Sequence, residues 1–161
     1  MTSFPNLDAL TAHAGQELGT TDWIIISQEQ IQQFADATGD HQWIHLEPDR
    51  AVRESPYKTT IAHGFLTLSL APRLLSDIYH VDSVKMGVNY GANKIRFTNA
   101  VPSGSRLRMK AWLHHVEPQN AGTPDRNEGS RGVRIIVECV FEVEGQTKPA
   151  CVAELIMLLF E

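Results

Sequence analysis

Hydrophobic residues recur at helical spacing in the first half of the chain, most clearly after Ser27. Ile31 and Phe34 lie three positions apart and, with the neighbouring apolar residues, form one face of a helix over 28–38. The side-chain oxygen of Ser27 suits a helix start, and Gly39 suits a helix end. The pattern therefore predicts a capped amphipathic helix that ends just before a polar segment.

Shorter elements are predicted on both sides of this helix. Residues 4–17 predict a weakly amphipathic leading helix, and the β-branched run 22–26 predicts a short strand. A second short helix is expected over 48–54, which begins with a proline, the residue that suits a first helical turn. Because the Ser55-Pro56 pair disfavours helix, residues 55–62 are expected to form a loop.

The segment 63–79 is the most hydrophobic helical stretch of the chain. Its residues are apolar on nearly all sides, which is typical of a helix buried in a core rather than one lying on a surface. Pro72 is expected to kink it, because proline lacks the N–H that a helix interior needs. We predict a long central helix with a bend.

The second half of the chain changes to patterns that are typical of strands. Helices followed by strands favour an α+β domain in which one antiparallel sheet wraps the central apolar helix. We expect one domain over 1–161, with 1–20 as an N-terminal extension and a polar loop over 118–130. The predicted strands are 83–90, 93–98, 105–117, 132–144 and 147–160.

Charge and composition exclude several classes of function. The 161 residues include 14 Lys+Arg and 19 Asp+Glu, a formal charge of −5 that argues against binding to nucleic acid or to an anionic membrane. The two cysteines are too few for a disulfide scaffold. The N-terminus lacks the pattern of a secretion signal, and the longest apolar stretch, 61–75, is interrupted by His63, Pro72 and Arg73. We therefore expect a cytoplasmic protein that does not enter the membrane.

Polar groups are densest between the two predicted helices, over 38–45. Asp40 and His45 lie five residues apart across a turn, so that a carboxylate and an imidazole can converge on one water molecule, as general acid–base hydration requires. Spacing alone also allows a purely structural interpretation, in which Asp40 caps the next turn and His45 is a core histidine. His63, which precedes the central helix, could contact substrate, but a capping or core role is an equal alternative, and it is not counted as catalytic.

The residues around this pair resemble a known enzyme family. Segments 37–51 and 62–67 are similar to the hydratase motif of the MaoC-like (R)-specific enoyl-CoA hydratases, in the branch that includes NodN-like proteins. The usual Asn-Pro of the motif is replaced here by Gln42-Trp43, a departure that this branch shares. The resemblance covers roughly 22–160 and is also strong over 89–97. It implies a hotdog fold, a homodimer with a pocket between subunits, and catalysis by an Asp and a His.

Carried over onto this sequence, the resemblance gives the catalytic roles to Asp40 and His45. Gly64 begins the central helix, and a helix N-terminus offers free N–H groups to a thioester oxygen. Gly64 could equally serve only close backbone packing. Ser69 matches a serine that the family places near the active site, although its hydroxyl could instead bond back to a helix carbonyl.

Further substrate contacts are predicted from the strand region after residue 88. By the resemblance, Tyr90, Gly91 and Asn93 form a bulge beside the site. Lys94 and Arg96 alternate along one strand. Together with Arg106 and Arg108 beyond the next turn, they could bind the phosphates of CoA. The alternative for these cations is a solvated strand face.

The resulting prediction is an enzyme, a hydro-lyase that hydrates 2-enoyl-CoA to (R)-3-hydroxyacyl-CoA and catalyses the reverse dehydration. No cofactor is expected besides the CoA thioester substrate. No metal is expected either, although the spacing of His41 and His45 beside Asp40 can hold zinc on a helix. Two alternatives remain open: a hotdog thioesterase, for which the helix offers only Asp77, and a non-catalytic acyl-CoA binding module. The acyl chain length is not fixed by the sequence.

Overall fold

Helices precede the long strands along the chain, as the hydrophobic pattern predicts. The computed structural model describes residues 1–119 and 131–161. The helices of this part are α1 (Leu7–Ala12), α2 (Gln28–Thr38), α3 (Trp43–Leu46), α4 (Pro48–Glu54), α5 (Gly64–Ser69) and α6 (Ala71–Ile78). Its strands are β1 (Thr2–Phe4), β2 (Gln16–Thr20), β3 (Ile24–Ile25), β4 (Tyr79–Val81), β5 (Met86–Phe97), β6 (Arg106–Gln119), β7 (Gly132–Val143) and β8 (Cys151–Phe160).

The two short helices predicted from caps and prolines are confirmed. The Ser27 hydroxyl accepts a hydrogen bond from the Gln30 N–H at 3.1 Å, which satisfies a free donor of the first turn of α2. Gly39 ends α2 in the left-handed region at φ 79°, where glycine has no steric penalty. α4 has the predicted bounds. The sequence pattern did not predict the single helical turn α3.

The predicted central helix is two helices rather than one. α5 and α6 meet at Leu70, and Pro72 lies in the first turn of α6, where its missing N–H leaves no helical hydrogen bond unmade. The prediction of a helix that is apolar on all sides was wrong for α6. Its inner face is buried, but Arg73 and Asp77 are exposed and pair with each other at 3.7 Å.

One antiparallel sheet forms most of the domain. The strand order is β2-β6-β7-β8-β5, and β3 pairs with β6 beside β2. The predicted strands 83–90 and 93–98 are one strand, β5, whose register with β8 shifts between Asn89 and Gly91 and again between Ala92 and Ile95. The predicted bulge at this place is therefore confirmed. β6 reaches Gln119, and the rest of the predicted loop, 120–130, lies outside the described residues.

The leading helix is much shorter than predicted. Gly15 has φ 80°, a value that a right-handed helix does not allow, and the chain continues as β2 instead. β1 pairs in parallel with β4, and β2 joins the main sheet along β6. The side chains of Leu7, Leu10 and Leu18 are buried in the core. The N-terminal twenty residues are thus integrated into the domain.

The core lies between the helices and the inner face of the sheet. Alternate residues of β6 and β7 face inward, as a period of two requires, and the buried face of α6 packs on β6 and β2. Cys139 and Cys151 are free and buried, and burial raises the pKa of Cys139 to about 12. Within 1–119 and 131–161, no helix is long and apolar enough to cross a bilayer.

Candidate active site

A pocket of about 280 Å³ forms where the turn after α2, the short helix α3 and the start of α5 meet. Asp40 lies in that turn, His45 is in α3, and Gly64 is the first residue of α5. The structure therefore brings together in one pocket the two predicted catalytic residues and the glycine predicted to bind the thioester oxygen. The pocket is lined by Phe34, Thr38, Asp40, His45, His63, Gly64 and Phe65.

Asp40 presents its carboxylate to the open side of this pocket. Its side chain is 56% exposed, and one carboxylate oxygen accepts a long hydrogen bond, 3.4 Å, from the Gln42 N–H. The turn itself follows the left-handed Gly39, which directs the chain away from the axis of α2. The carboxylate thus keeps acceptor positions that water or substrate can occupy.

His45 is buried and held in one tautomer. Its Nδ1 lies 2.7 Å from the backbone oxygen of Ile61. Since a carbonyl oxygen can only accept, Nδ1 carries the proton and Nε2 keeps its lone pair. Gln28 fixes the backbone from the other side, because its amide donates to the His45 carbonyl at 2.7 Å and accepts from Thr60 at 2.5 Å.

The environment of His45 lowers the pKa of its imidazole below the usual 6.5. Burial, which disfavours the charged ring, is the largest cause. The hydrogen bond to Ile61 and the Asp40 carboxylate act in the opposite direction, and His63 lowers the pKa further. A neutral imidazole with a free Nε2 can accept a proton near pH 7.

His63 also lines this pocket, and the sequence left its role open between a substrate contact and a capping or core position. Its side chain is 3% exposed, its Nε2 lies 3.0 Å from the Asp40 backbone oxygen, and its ring stacks on His45. It occupies the N-cap position of α5 without a side-chain cap bond, and its burial agrees with the core role that the sequence offered. The sequence feature that pointed to the pocket was its position directly before Gly64, at the start of α5.

Gly64 begins α5 and is closely packed, so its geometry is compatible with both of the interpretations that its sequence position allowed. Gly64 is the first residue of α5. Its N–H therefore has no carbonyl acceptor within that helix. It is also packed closely, since a Cβ at this position would lie 2.8 Å from the Phe97 ring. On its other side Gly64 borders a second cavity of about 280 Å³, which Tyr57 and Phe97 also line.

The predicted substrate contacts Ser69, Tyr90 and Gly91 lie together in a different cavity. This space of about 400 Å³ lies between α5 and β5, and Leu68 and Leu155 also line it. The Ser69 hydroxyl donates to the Leu66 backbone oxygen at 2.7 Å, as the alternative interpretation of this residue expected. Within this chain, therefore, Ser69 is not brought to the pocket of Asp40.

Most cations of the predicted phosphate patch are paired with glutamates on the sheet. Lys94 and Asn93 both donate to Glu154 on β8, at 3.1 and 3.4 Å. Arg106 pairs with Glu144, and Arg108 pairs with Glu142. Arg96 donates to the backbone oxygen of Ile95 at 2.8 Å. The structure thus favours the solvated strand face over a free basic cluster.

Asp40, His45 and His63 each place a possible ligand atom within 4.8 Å of the others. The two imidazoles are stacked, however, with ring centroids 3.7 Å apart and planes inclined by 25°. Stacked rings direct their nitrogen lone pairs side by side, whereas tetrahedral zinc needs lone pairs that converge. His41, which the sequence offered as a ligand, instead contacts Asp36 at 3.2 Å. The geometry suits proton transfer better than metal binding.

Comparison with known proteins gives this pocket a family context. Residues 9–133 match the model of the MaoC like domain. The chain is 49% identical over 157 residues to "3-hydroxyacyl-thioester dehydratase Z" of Mycobacterium tuberculosis, covering 98% of this chain and 97% of that protein. It is 39% identical over 158 residues to "Nodulation protein N" of Rhizobium leguminosarum bv. viciae, covering 96% and 91%.

Solved structures with low sequence identity share the fold. The unliganded R-hydratase PhaJ1 of Pseudomonas aeruginosa superimposes with a TM-score of 0.66 at 21% identity, covering 92% of this chain and 85% of that one. The C-terminally truncated HadBC complex of Mycobacterium tuberculosis, a 3R-hydroxyacyl-ACP dehydratase, gives 0.69 at 18% identity, covering 92% and 97%. The predicted hotdog architecture, an antiparallel sheet around a central helical segment, is therefore confirmed.

Proposed function

Because the chain belongs to the MaoC-like dehydratase family, we propose that it hydrates 2-enoyl-CoA thioesters to (R)-3-hydroxyacyl-CoA and catalyses the reverse dehydration. The observation that carries this proposal is the pocket in which Asp40, His45 and the start of α5 meet. It combines an exposed carboxylate, a neutral imidazole and a free helix N–H. The relative named 3-hydroxyacyl-thioester dehydratase supports the same chemistry.

The Gly64 N–H polarises the substrate. When the thioester oxygen accepts this hydrogen bond, C3 of the enoyl group becomes electrophilic and negative charge develops on the oxygen. Donors that are already in place when the charge forms cost no reorganisation during the reaction. The close packing of Phe97 on Gly64 leaves no room for a side chain beside this N–H.

Asp40 and His45 position the attacking water and transfer its proton. His45 Nε2 takes a proton from a water molecule that Asp40 orients, and the oxygen of that water attacks C3. The imidazolium, stabilised by the nearby carboxylate, then returns the proton to C2, so that water is added across the double bond. Dehydration runs through the same steps in reverse. The reaction needs no metal or other cofactor.

The active enzyme is a homodimer in this proposal. β5 is an edge strand of twelve residues that pairs with β8 on one side only within the described part of the chain. Met86, Val88 and Tyr90 are exposed along it. A long apolar edge is a surface that proteins usually cover, and association of two copies along β5 would cover it. The cavity of Ser69 and Tyr90 borders the same strand, so the substrate contacts predicted there would lie near the dimer interface.

The thioesterase alternative has less support. Its acidic residue on the central helix would be Asp77, which is exposed, pairs with Arg73 and does not line the pocket of Asp40. The pocket instead places the Asp40 carboxylate and the His45 imidazole where both can act on one water molecule in the proposed hydration. A hydratase is therefore the better interpretation of the same geometry.

Incubation with crotonyl-CoA tests the proposal directly. We expect loss of the conjugated enoyl absorbance, no release of free thiol, and a 3-hydroxybutyryl-CoA product that chiral analysis identifies as the R form. Release of free CoA would indicate a thioesterase instead. Binding of the thioester without turnover would indicate a non-catalytic module, and an S product would contradict the stereochemical part of the proposal.

A further inference from the structure

A second imidazole lies behind the catalytic pair. The side chain of His63 is 3% exposed, and its ring stacks on that of His45 with centroids 3.7 Å apart. The Phe34 ring also contacts it, at 5.0 Å between centroids. Packed among these rings, the His63 side chain has little freedom to change its orientation.

Among residues 1–119 and 131–161, the one side-chain hydrogen bond of His63 goes to the backbone of Asp40. Its Nε2 lies 3.0 Å from the Asp40 carbonyl oxygen, and a carbonyl only accepts, so Nε2 carries a proton. Within the described residues its Nδ1 is buried and has no partner. Leaving a buried polar atom unbonded is costly, and the contacts of Nε2 and of the ring face are what this side chain offers in return.

The turn that carries Asp40 has few other ties. The Asp40 N–H reaches the Thr38 hydroxyl at 3.5 Å, and one of its carboxylate oxygens accepts from Gln42 at 3.4 Å. Both bonds are long and exposed. The 3.0 Å bond from His63 is the shortest that Asp40 makes in the described part of the chain, and it is part-buried because the His63 ring lies inside the protein.

We propose that His63 is a positioning residue for the reaction, which links the two catalytic groups that lie on separate elements. Through Nε2 it fixes the backbone of Asp40, and through its face it holds the His45 ring whose Nδ1 is bonded to Ile61. The proposal rests on the proposed hydratase function for its kinetic consequences. Its geometric content, the tautomer of each ring, is independent of any activity.

Two substitutions separate the hydrogen bond from the bulk of the ring. His63→Gln keeps an N–H donor that reaches approximately to the place of Nε2, whereas His63→Leu keeps apolar volume and removes the donor. Because a displacement of 1 Å in a catalytic group can cost about 10²-fold, we expect His63→Leu to lower kcat about 10- to 100-fold with KM changed less than about 2-fold. His63→Gln should recover most of that loss.

A double-mutant cycle tests whether His63 acts through Asp40. In the Asp40→Asn background, the further change His63→Leu should lower kcat by clearly less than it does in the wild-type background, because one of the two groups that it positions is already lost. Effects that multiply independently would overturn the proposal, as would a His63→Leu variant with wild-type kcat or a His63→Gln variant as impaired as His63→Leu. The matched control is His115→Leu, the same change at an exposed strand position, which should leave kcat unaltered.

Side-chain ¹⁵N NMR of the unmodified protein keeps the proposal testable if His63→Leu does not fold. Near neutral pH, long-range ¹H–¹⁵N correlations should show His63 protonated on Nε2 and His45 protonated on Nδ1, with each signal assigned by its loss in the corresponding glutamine variant. A His63 ring protonated only on Nδ1 would overturn the proposal. If the protein showed these tautomers but did not hydrate any enoyl thioester, the proposed function would fail while the arrangement of the rings stood.

Discussion

His45 Nδ1 lies 2.7 Å from the backbone oxygen of Ile61, in the loop that leads into α5. This bond fixes the tautomer of a buried imidazole and leaves Nε2 as its only proton acceptor. Ile61 in turn donates its N–H to the carbonyl of Ile44, at 3.1 Å, so the segments that carry His45 and Gly64 are tied together. The base and the helix start that would bind the thioester oxygen thus belong to one hydrogen-bonded unit.

Asp40→Asn and His45→Gln should each lower kcat for enoyl-CoA hydration by about two to four orders of magnitude, the usual scale for an acid–base group. Steady-state kinetics on variants shown folded by circular dichroism measures this. Asp36→Asn and His41→Gln are matched controls, because these two residues contact each other outside the pocket and should retain full activity. A catalytic variant with more than about a third of wild-type kcat would remove that residue from the mechanism.

The pH profile of kcat/KM should show an acid limb with its midpoint below pH 6.5. The pKa of His45 is lowered, mainly by burial, so the ring stays neutral and able to accept a proton down to that pH and is protonated below it. Activity is therefore present above the midpoint and lost as pH falls through it. Asp40 and His63 both lie beside the His45 ring and influence its charge. The observed midpoint therefore describes the group of three residues and not His45 alone. A midpoint above 6.5 would contradict a lowered pKa of His45.

Val88→Asp should dissociate the dimer and reduce hydration activity at dilute protein concentration. A charge at this exposed position of β5 would be buried without a partner if two copies associate along that edge. Sedimentation velocity measures the mass of the species. Ile25→Asp is the control, since Ile25 is exposed on β3 at the opposite edge of the sheet and should leave the dimer intact. If Ile25→Asp dissociated the dimer and Val88→Asp did not, the interface would lie along the β3 edge of the sheet instead of along β5.

The kcat/KM of enoyl-CoA substrates should rise with acyl chain length and then level off. The pocket beside Asp40 holds about 280 Å³ and is walled by Phe34 and Phe65, so each methylene buried there adds up to about 0.8 kcal/mol until the space is filled. Measuring C4, C6, C8 and C12 substrates locates the plateau. A flat series would mean that the chain is not buried and that the substrate is recognised by its head group.

The sequence by itself determined the local elements and pointed to the candidate catalytic pair. The caps at Ser27 and Gly39, the bounds of α4 and the alternation along β6 and β7 follow from backbone preferences and side-chain period, which act over a few residues. The catalytic roles of Asp40 and His45 also came from a local motif, and they remain a prediction for the assays above.

The tertiary structure decided what depends on residues far apart in the chain. Pairing of β2 with β6 ended the leading helix early, and packing left the face of α6 that carries Arg73 and Asp77 exposed. The tautomer of His45 required Ile61, and the role inferred for His63 required Asp40, partners 16 and 23 residues away. Hydrogen bonds of this kind have no periodic signature, because each depends on how two separate segments pack against the same core.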